Sequence, residues 1–372
     1  MTSFKKTIVI YTRYLGGLDG GSIRHLQIVE LLRKSGFEVF VNPGISPRFR
    51  SQLITSALSA MRIALFGPLP FKRLLFKAST KGGFISLLLV GRYYLAARTS
   101  ILQQQTRIVL VEDVVFGGQG ALIAAKELKV NVIALPHNID ALTGLLFGIP
   151  QSCNTLAAEM NALSLADITF TISEGDAWFH RQFGMDSCPL SYYPATERET
   201  HLRLLRTMRE GRSIEKRFLI AGSAHNPPTK EGMNELLAFI GAQTWSQETI
   251  FDVVGTETKS LWNPAMSKQI VFHGALYPEQ FMSLASKCAA CIAFQKRGTG
   301  SLTRVLDMIL AGIPVFGNAT ALRDWQHLEG IYQFSDWDEL TLLLNSNLKT
   351  PPLPSRPDLQ EKRFINSVSQ LS

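Results

Sequence analysis

The sequence predicts an α/β protein of two doubly wound parallel-sheet domains, on three observations. The chain has 372 residues, more than one ordinary core holds, since domains run to about 100–200 residues. Apolar runs of strand length alternate with helical stretches, the order that builds parallel sheets with helices on both faces. That alternation starts twice, once at the N-terminus and again near residue 217. Composition agrees: 46% hydrophobic and 18% charged residues, with 28 Gly and 17 Pro, suit a packed globular chain and exclude a disordered or collagen-like one.

Residues 7–12 (TIVIYT) form the first strand, and residues 14–22, with four glycines, the turn after it. Ile23, Leu26, Val29, Leu31 and Leu32 then mark the apolar face of a helix that ends near Gly36. Residues 37–41 supply the second strand, and the alternation returns at 107–112, 121–128 and 130–135 before a late strand at 169–172. The second series runs through strands at 217–222, 250–255, 269–273 and 291–294, with helices at 230–240 and 278–286 between them. The stretch from Tyr192-Tyr193-Pro194 to the charged residues 197–215 is the expected hinge, which gives domains of 1–194 and 195–350. Residues 351–372 are read as a proline-rich linker and a short terminal helix.

Residues 1–12 do not fit a secretion signal, and Lys or Arg interrupts every apolar run that could cross a membrane. Four cysteines in such a chain are read as reduced thiols, so the expected compartment is the cytoplasm. Cys288 and Cys291 form a C-x-x-C without a second ligand pair at similar spacing, and core packing is the expectation rather than a metal. The net charge of +8 is uneven: no acidic residue lies between Glu38 and Glu112, while ten Lys or Arg fall in the window 48–107. Apolar and aromatic residues are interleaved with them, as suits the inner face of an anionic membrane or a lipid phosphate. Solvated helices with an excess of one sign are the alternative. No nucleic-acid-binding motif accompanies the charge.

The densest chemical signal runs from residue 298 to 315, GTGSLTRVLDMILAGIPV. Gly298 and Gly300, with Thr299 and Ser301, form a turn that lets backbone approach a ligand and opens a helix whose first amides can hold phosphate. Arg304 adds a bidentate cation one turn in, and Asp307 offers acceptor oxygens three residues later on the same face. As a purely structural feature, Arg304 and Asp307 would be a surface ion pair.

This segment resembles the donor segment of glycosyltransferase family 4, the retaining enzymes of GT-B architecture. Gly298, Gly300, Arg304, Asp307 and Gly312-Ile313-Pro314-Val315 match it position by position. The turn at Gly222 and Ser223, followed by His225-Asn226-Pro227, resembles the family's turn after the first donor-domain strand. Pro136-His137-Asn138 and residues 166–173 resemble two N-domain segments. The resemblance covers residues 7–345 and departs at Thr299, where many members have Glu, and at Asp307, one methylene shorter than their Glu.

It implies two Rossmann-like domains facing a central cleft, a nucleotide-diphosphate sugar as donor, a glycan or lipid-linked acceptor, and transfer with retention. On that basis Arg304 serves the diphosphate and Asp307 the ribose, His137 faces the donor sugar, and Gly20 and Gly21 open the first helix near donor or acceptor. No metal or separate cofactor is implied. Asp336-Trp337-Asp338 has the spacing of metal-dependent enzymes but reads as a helix N-cap, and Asn318-Ala319-Thr320 has the pattern of a glycosylation site that a cytoplasmic chain would not use. Two alternatives stand beside transfer: a nucleotide-sugar epimerase, and a non-catalytic sugar- or lipid-binding assembly protein.

Overall fold

The five residues of the first strand show how the pattern becomes a layer. In the computed structural model, which describes residues 6–12, 19–42, 53–66, 88–114, 118–146, 152–263 and 267–372, β1 (Thr7–Tyr11) turns Ile8 and Ile10 to one face and Val9 and Tyr11 to the other. Helices cover both faces, so both are apolar, as parallel sheets require. The chain divides into two compact units, Met1–Tyr192 with Pro357–Ser372, and Tyr193–Arg356.

In the first unit, β1 is followed by α1 (Gly20–Lys34), β2 (Glu38–Asn42), α2 (Leu53–Phe66), α3 (88–104), β3 (Ile108–Val111), α4 (Gly118–Glu127) and β4 (Asn131–Ala134). Next come α5 (Asp140–Leu146), α6 (Ser152–Leu163), β5 (Ile168–Thr171), α7 (Glu174–Gln182) and β6 (Ser187–Pro189). The strands form one parallel sheet in the order β2-β1-β3-β4-β5-β6. Asp19 starts α1 by accepting the Ser22 amide at 3.0 Å. The expected face of α1 needs correction at Leu26, which is 52% exposed while Ile28 is fully buried. A one-sided surface helix would have hidden Leu26. Here most of α1 is covered, so Arg24, His25 and Gln27 are also buried and the open stripe falls on Leu26 and its neighbours.

The second unit begins with α8 (Thr196–Glu210) and continues β7 (Glu215–Ala221), α9 (Pro227–Ala242), β8 (Ile250–Val254), a 3-10 turn at Thr258–Leu261, β9 (Ile270–Gly274) and α10 (Pro278–Ala285). It ends with β10 (Cys288–Ala293), α11 (Thr303–Leu310), β11 (Val315–Gly317), α12 (Ala319–Leu322), β12 (Ile331–Gln333) and α13 (Trp337–Leu344). Its sheet is again parallel, in the order β12-β11-β10-β7-β8-β9. Asp336 caps α13 by accepting the Glu339 amide at 2.8 Å, which accounts for the Asp-x-Asp motif. Cys288 and Cys291 are buried on β10, and burial pushes the Cys291 thiol up to about 11. The terminal helix α14 (Asp358–Leu371) belongs to the first unit, where Phe364 and Val368 complete the cluster around Ile8, Ile10 and Ile28.

Both sheets reverse direction at one place. The chain leaves β1 for β2 on one side and β3 on the other, and leaves β7 for β8 on one side and β10 on the other. The carboxyl ends of strands at such a reversal form the crevice where open α/β sheets bind ligands. Among the described residues, no helix is long and apolar enough to cross a membrane. Of the basic window, Arg48, Arg50, Lys72, Arg73, Lys77 and Lys81 lie outside the described residues. Arg92 is 3% exposed and so is not a surface charge, and Arg62 is paired with Glu127 at 3.2 Å.

Candidate functional site

In the second unit the reversal point is where the glycine-rich signals meet. β7 ends at Ala221, and Gly222 follows with almost no room: a Cβ there would lie 2.8 Å from Thr229 Cγ2 and 3.1 Å from Arg304 Nη1. Ser223 shapes the same turn, its Oγ accepting the His225 amide at 3.3 Å. Arg304 stands in the first turn of α11, and its guanidinium reaches across to the end of β7 and to Cys291 of β10. Gly222 and Arg304, more than eighty positions apart in the chain, are thus in contact.

The electrostatics of Arg304 are unusual for an arginine. Its Nε is buried with no hydrogen-bond partner, and among the described residues no carboxylate forms an ion pair with it. Burial holds its pKa below the ordinary arginine value, and the nearby Cys291 only partly opposes that shift. A buried cation without a partner is costly. A bound anion would remove that cost.

The loop that leads into α11 is built for close approach. Gly298 and Gly300 adopt φ of +151° and +69°, conformations that side chains disfavour. Arg323 donates to the Gly298 carbonyl and to Gln295, and Trp325 Nε1 donates to the Leu302 carbonyl at 3.1 Å, which pins the loop from behind. Asn318, of the apparent glycosylation pattern, exchanges two hydrogen bonds with the Gln295 backbone. No side chain caps α11 at its N-terminus, and the Ser301 hydroxyl is buried without a partner. Uncapped amides at a helix start attract anions. Thr299 lies between the two glycines, in the same loop.

Asp307 does not form the i,i+3 ion pair with Arg304. Its side chain is 1% exposed and accepts from Arg198 of α8, Nε at 3.1 Å and Nη2 at 2.7 Å, both on Oδ2. The helix turns the two residues toward different neighbours: Arg304 toward the strand ends, Asp307 toward α8. Sequence reasoning missed Arg198, because a charged stretch beside an expected hinge gives no sign of a buried partner.

His137 belongs to the first unit, just after β4, and is 9% exposed. It lines a small crevice with Glu112, Asp113 and Asp140 at the carboxyl ends of β3 and β4. Glu159, from α6, accepts the amides of Asp140 and Ala141 at 3.2 and 2.9 Å and so fixes the start of α5. Gly20 and Gly21 occupy the first turn of α1 with ordinary φ angles. His25, one turn further on, was not anticipated; its Nδ1 meets Glu112 Oε2 at 2.9 Å in a fully buried pair. The only hint in the sequence is that Glu112 ends the long acid-free window.

Neither a family model nor a curated protein sequence matches the chain. Solved structures do. A sucrose-phosphate synthase from Thermosynechococcus elongatus matches with a TM-score of 0.58 at 12% identity, over 91% of this chain and 88% of that one. HepE from Anabaena, in complex with UDP, gives a TM-score of 0.58 at 12% identity, over 98% and 97%. The UDP-GlcNAc 2-epimerase of Methanocaldococcus jannaschii, in complex with UDP-GlcNAc and UDP, gives 0.53 at 13% identity, over 99% and 100%. At these identities the likeness is one of fold, and the fold is GT-B.

Proposed function

We propose that the chain is a glycosyltransferase that moves a hexose from a nucleoside-diphosphate sugar to a glycan or lipid-linked acceptor, in polysaccharide assembly. Arg304 is the observation that carries the reading: a half-buried arginine whose Nε is buried without a partner, at the reversal point of a parallel sheet and packed against Gly222, where a side chain would not fit. A diphosphate is the anion such a site suits, held by Arg304, by the amides around Gly300 and Ser301, and by the turn at Gly222 and Ser223. Stabilising charge on the departing diphosphate is the main electrostatic task of this chemistry, and the site needs no metal to perform it. Asp307 takes the ribose hydroxyls in this reading, in competition with Arg198. His137 acts on the sugar. The family resemblance implies retention, in which the leaving phosphate receives the acceptor proton; a protein base would give inversion, and the anomer of the product separates the two.

Two variants test the donor site. Arg304→Leu should spare the affinity for nucleoside and weaken diphosphate binding by about 10- to 150-fold, the equivalent of about 1.5–3 kcal/mol for a charge-assisted hydrogen bond. Asp307→Asn should weaken nucleoside and diphosphate alike. Titration of nucleoside, monophosphate and diphosphate against both proteins reads the difference, and wild-type affinity in both would remove the assignment.

A membrane partner is proposed on charge alone, for the window 48–107. Co-sedimentation with anionic vesicles at low salt, and none with neutral ones, is the expected result; equal binding to both would dismiss it. An epimerase is the second reading, favoured by Glu112 in the crevice of the first unit, a carboxylate where proton abstraction could occur.

A further inference from the structure

A groove of about 600 Å³ lies in the first unit, outside the crevice at its reversal point. Two stretches far apart in the chain line it: Asp167, Ile168 and Asp186 at the amino ends of β5 and β6, and one stripe of α14. Leu359, Lys362, Arg363, Asn366 and Gln370 recur at the three- and four-residue spacing that makes one side of a helix. Phe364 and Val368, on the other side, are buried in the first core. Open α/β sheets take their substrates at the carboxyl ends of the strands, and the four residues of β5 alone put about 13 Å between the two ends. The groove is therefore a separate place.

Its walls are fixed before any ligand arrives. α14 is fastened near both ends, where Gln360 accepts the Ser191 amide at 2.6 Å and Asn131 Nδ2 donates to the Leu371 carbonyl at 2.6 Å. Asp167 is held by Lys126 at 2.8 Å and by the Val132 amide at 2.7 Å. A carboxylate has about four acceptor positions, so these bonds orient it without exhausting it. Asp186 and Arg363 both stand close enough to the Cys188 thiol of β6 to act on it electrostatically, with opposite sign.

The lining decides what fits. Two carboxylates offset two cations, so the groove lacks the one-signed field that selects a phosphate or an anionic polymer. Under a lipid tail, its charged and amide groups would lose water without gaining partners. Donors and acceptors are both present, and a sugar hydroxyl uses one of each. Leu359, 83% exposed, joins Ile168 and Leu371 in adding apolar surface, which matches the C–H face of a sugar ring. The volume falls within the range of about 300–1,000 Å³ that small-molecule sites occupy.

We propose that this groove binds an uncharged oligosaccharide. The carboxylates accept from its hydroxyls, Lys362 and Arg363 donate to them, and Asn366 and Gln370 do both. That the bound glycan is the acceptor chain, held behind its reacting end, rests on the glycosyltransferase reading; the binding site itself does not. An enzyme that extends a chain gains from a second grip on it, because a tethered end returns at a high effective concentration.

The test is calorimetric titration of the full-length protein with maltohexaose, cellohexaose, laminarihexaose, mannohexaose and chitohexaose. Hexagalacturonate and inorganic phosphate are the anionic controls, and the diphosphates of uridine, guanosine, adenosine and cytidine are titrated in parallel. At least one neutral hexasaccharide should bind, more tightly than either control. Asn366 is exposed, and Asn366→Trp, whose indole would fill the groove, should abolish that binding. Asn366→Ala and Gln370→Ala, which remove hydrogen-bonding groups and leave the helix intact, should each weaken it by about 3- to 10-fold. Diphosphate affinity should stay within twofold in all three variants, since the donor residues are in the other unit. Binding of no neutral hexasaccharide overturns the proposal, as does tighter binding of hexagalacturonate or phosphate. Glycan binding that keeps its wild-type strength in all three variants lies elsewhere on the protein and overturns it equally. Groove-dependent glycan binding by a protein that takes no diphosphate upholds the groove and removes the transferase reading, whereas diphosphate binding without glycan binding does the reverse.

Discussion

His180, in the last turn of α7, is fully buried, and neither ring nitrogen has a hydrogen-bond partner. Its pKa is lowered from 6.5 to about 4 because burial penalises the imidazolium. The helix C-terminus would favour the charge, but here desolvation wins. In the unfolded chain the ring takes a proton below about 6.5, while in the folded chain it does so only near 4. The unfolded state therefore binds more protons between these values. The stability that His180 contributes is complete above pH 6.5 and is lost progressively as the pH falls toward 4, by roughly 3 kcal/mol. Chemical denaturation of wild type and His180→Leu at pH 7 and pH 4.5 checks this. The variant should lose less stability on acidification, and at pH 7 it should match or exceed wild type, because an apolar side chain removes two unsatisfied nitrogens. An identical pH response in the two proteins would show that the ring is solvated. Arg304 presents the same physics with the opposite outcome: an arginine stays charged, so its burial creates a demand for an anion instead of a neutral side chain.

At the scale of elements, strands and glycine turns were legible because their signals are local. β1, β3, β7 and β8 are apolar runs, and the turns at 222 and 298–300 announce themselves through glycine. α8 was not legible. Its 15 residues carry so many charges that they read as a solvated hinge, yet several of those charges are internal. Arg206 donates to the carbonyls of Ile309 and Leu310 at 2.7 and 3.0 Å, and Arg209 to those of Ala285, Cys288 and Gly312 at 2.7–3.1 Å. The last carbonyls of a helix lack partners within it, and arginines from a neighbouring helix can supply them. Such a role depends on what lies across from α8, which sequence periodicity does not record. β6 was missed for another reason, being three residues long and ending in proline. The candidate site divides the same way: Gly222, Gly298, Gly300 and Arg304 were visible through backbone chemistry, whereas Arg198 and His25 act through partners 109 and 87 positions away.

For the whole molecule, the path of the chain matters more than either sheet alone. The chain builds one unit, then the second, and returns with α14 to finish the first. Phe364 is fully buried and meets Phe170 of β5 edge to face, with ring centres 5.2 Å apart. Gln360 accepts the Ser191 amide at 2.6 Å, and Gln27 of α1 donates to Glu361 at 3.4 Å. The helix therefore closes the apolar face of the first sheet and ties down α1, which carries His25. Phe364→Ala removes a large side chain from a closed core, a change that costs about 3–5 kcal/mol. That loss belongs to the first unit. Hydrogen exchange should show faster opening of amides in β1, β3 and β5, with those in β7, β8 and β10 protected as before and diphosphate affinity unchanged. Faster exchange in both units would mean that they unfold together, and unchanged exchange in β1 and β5 would mean that α14 is not part of the first core.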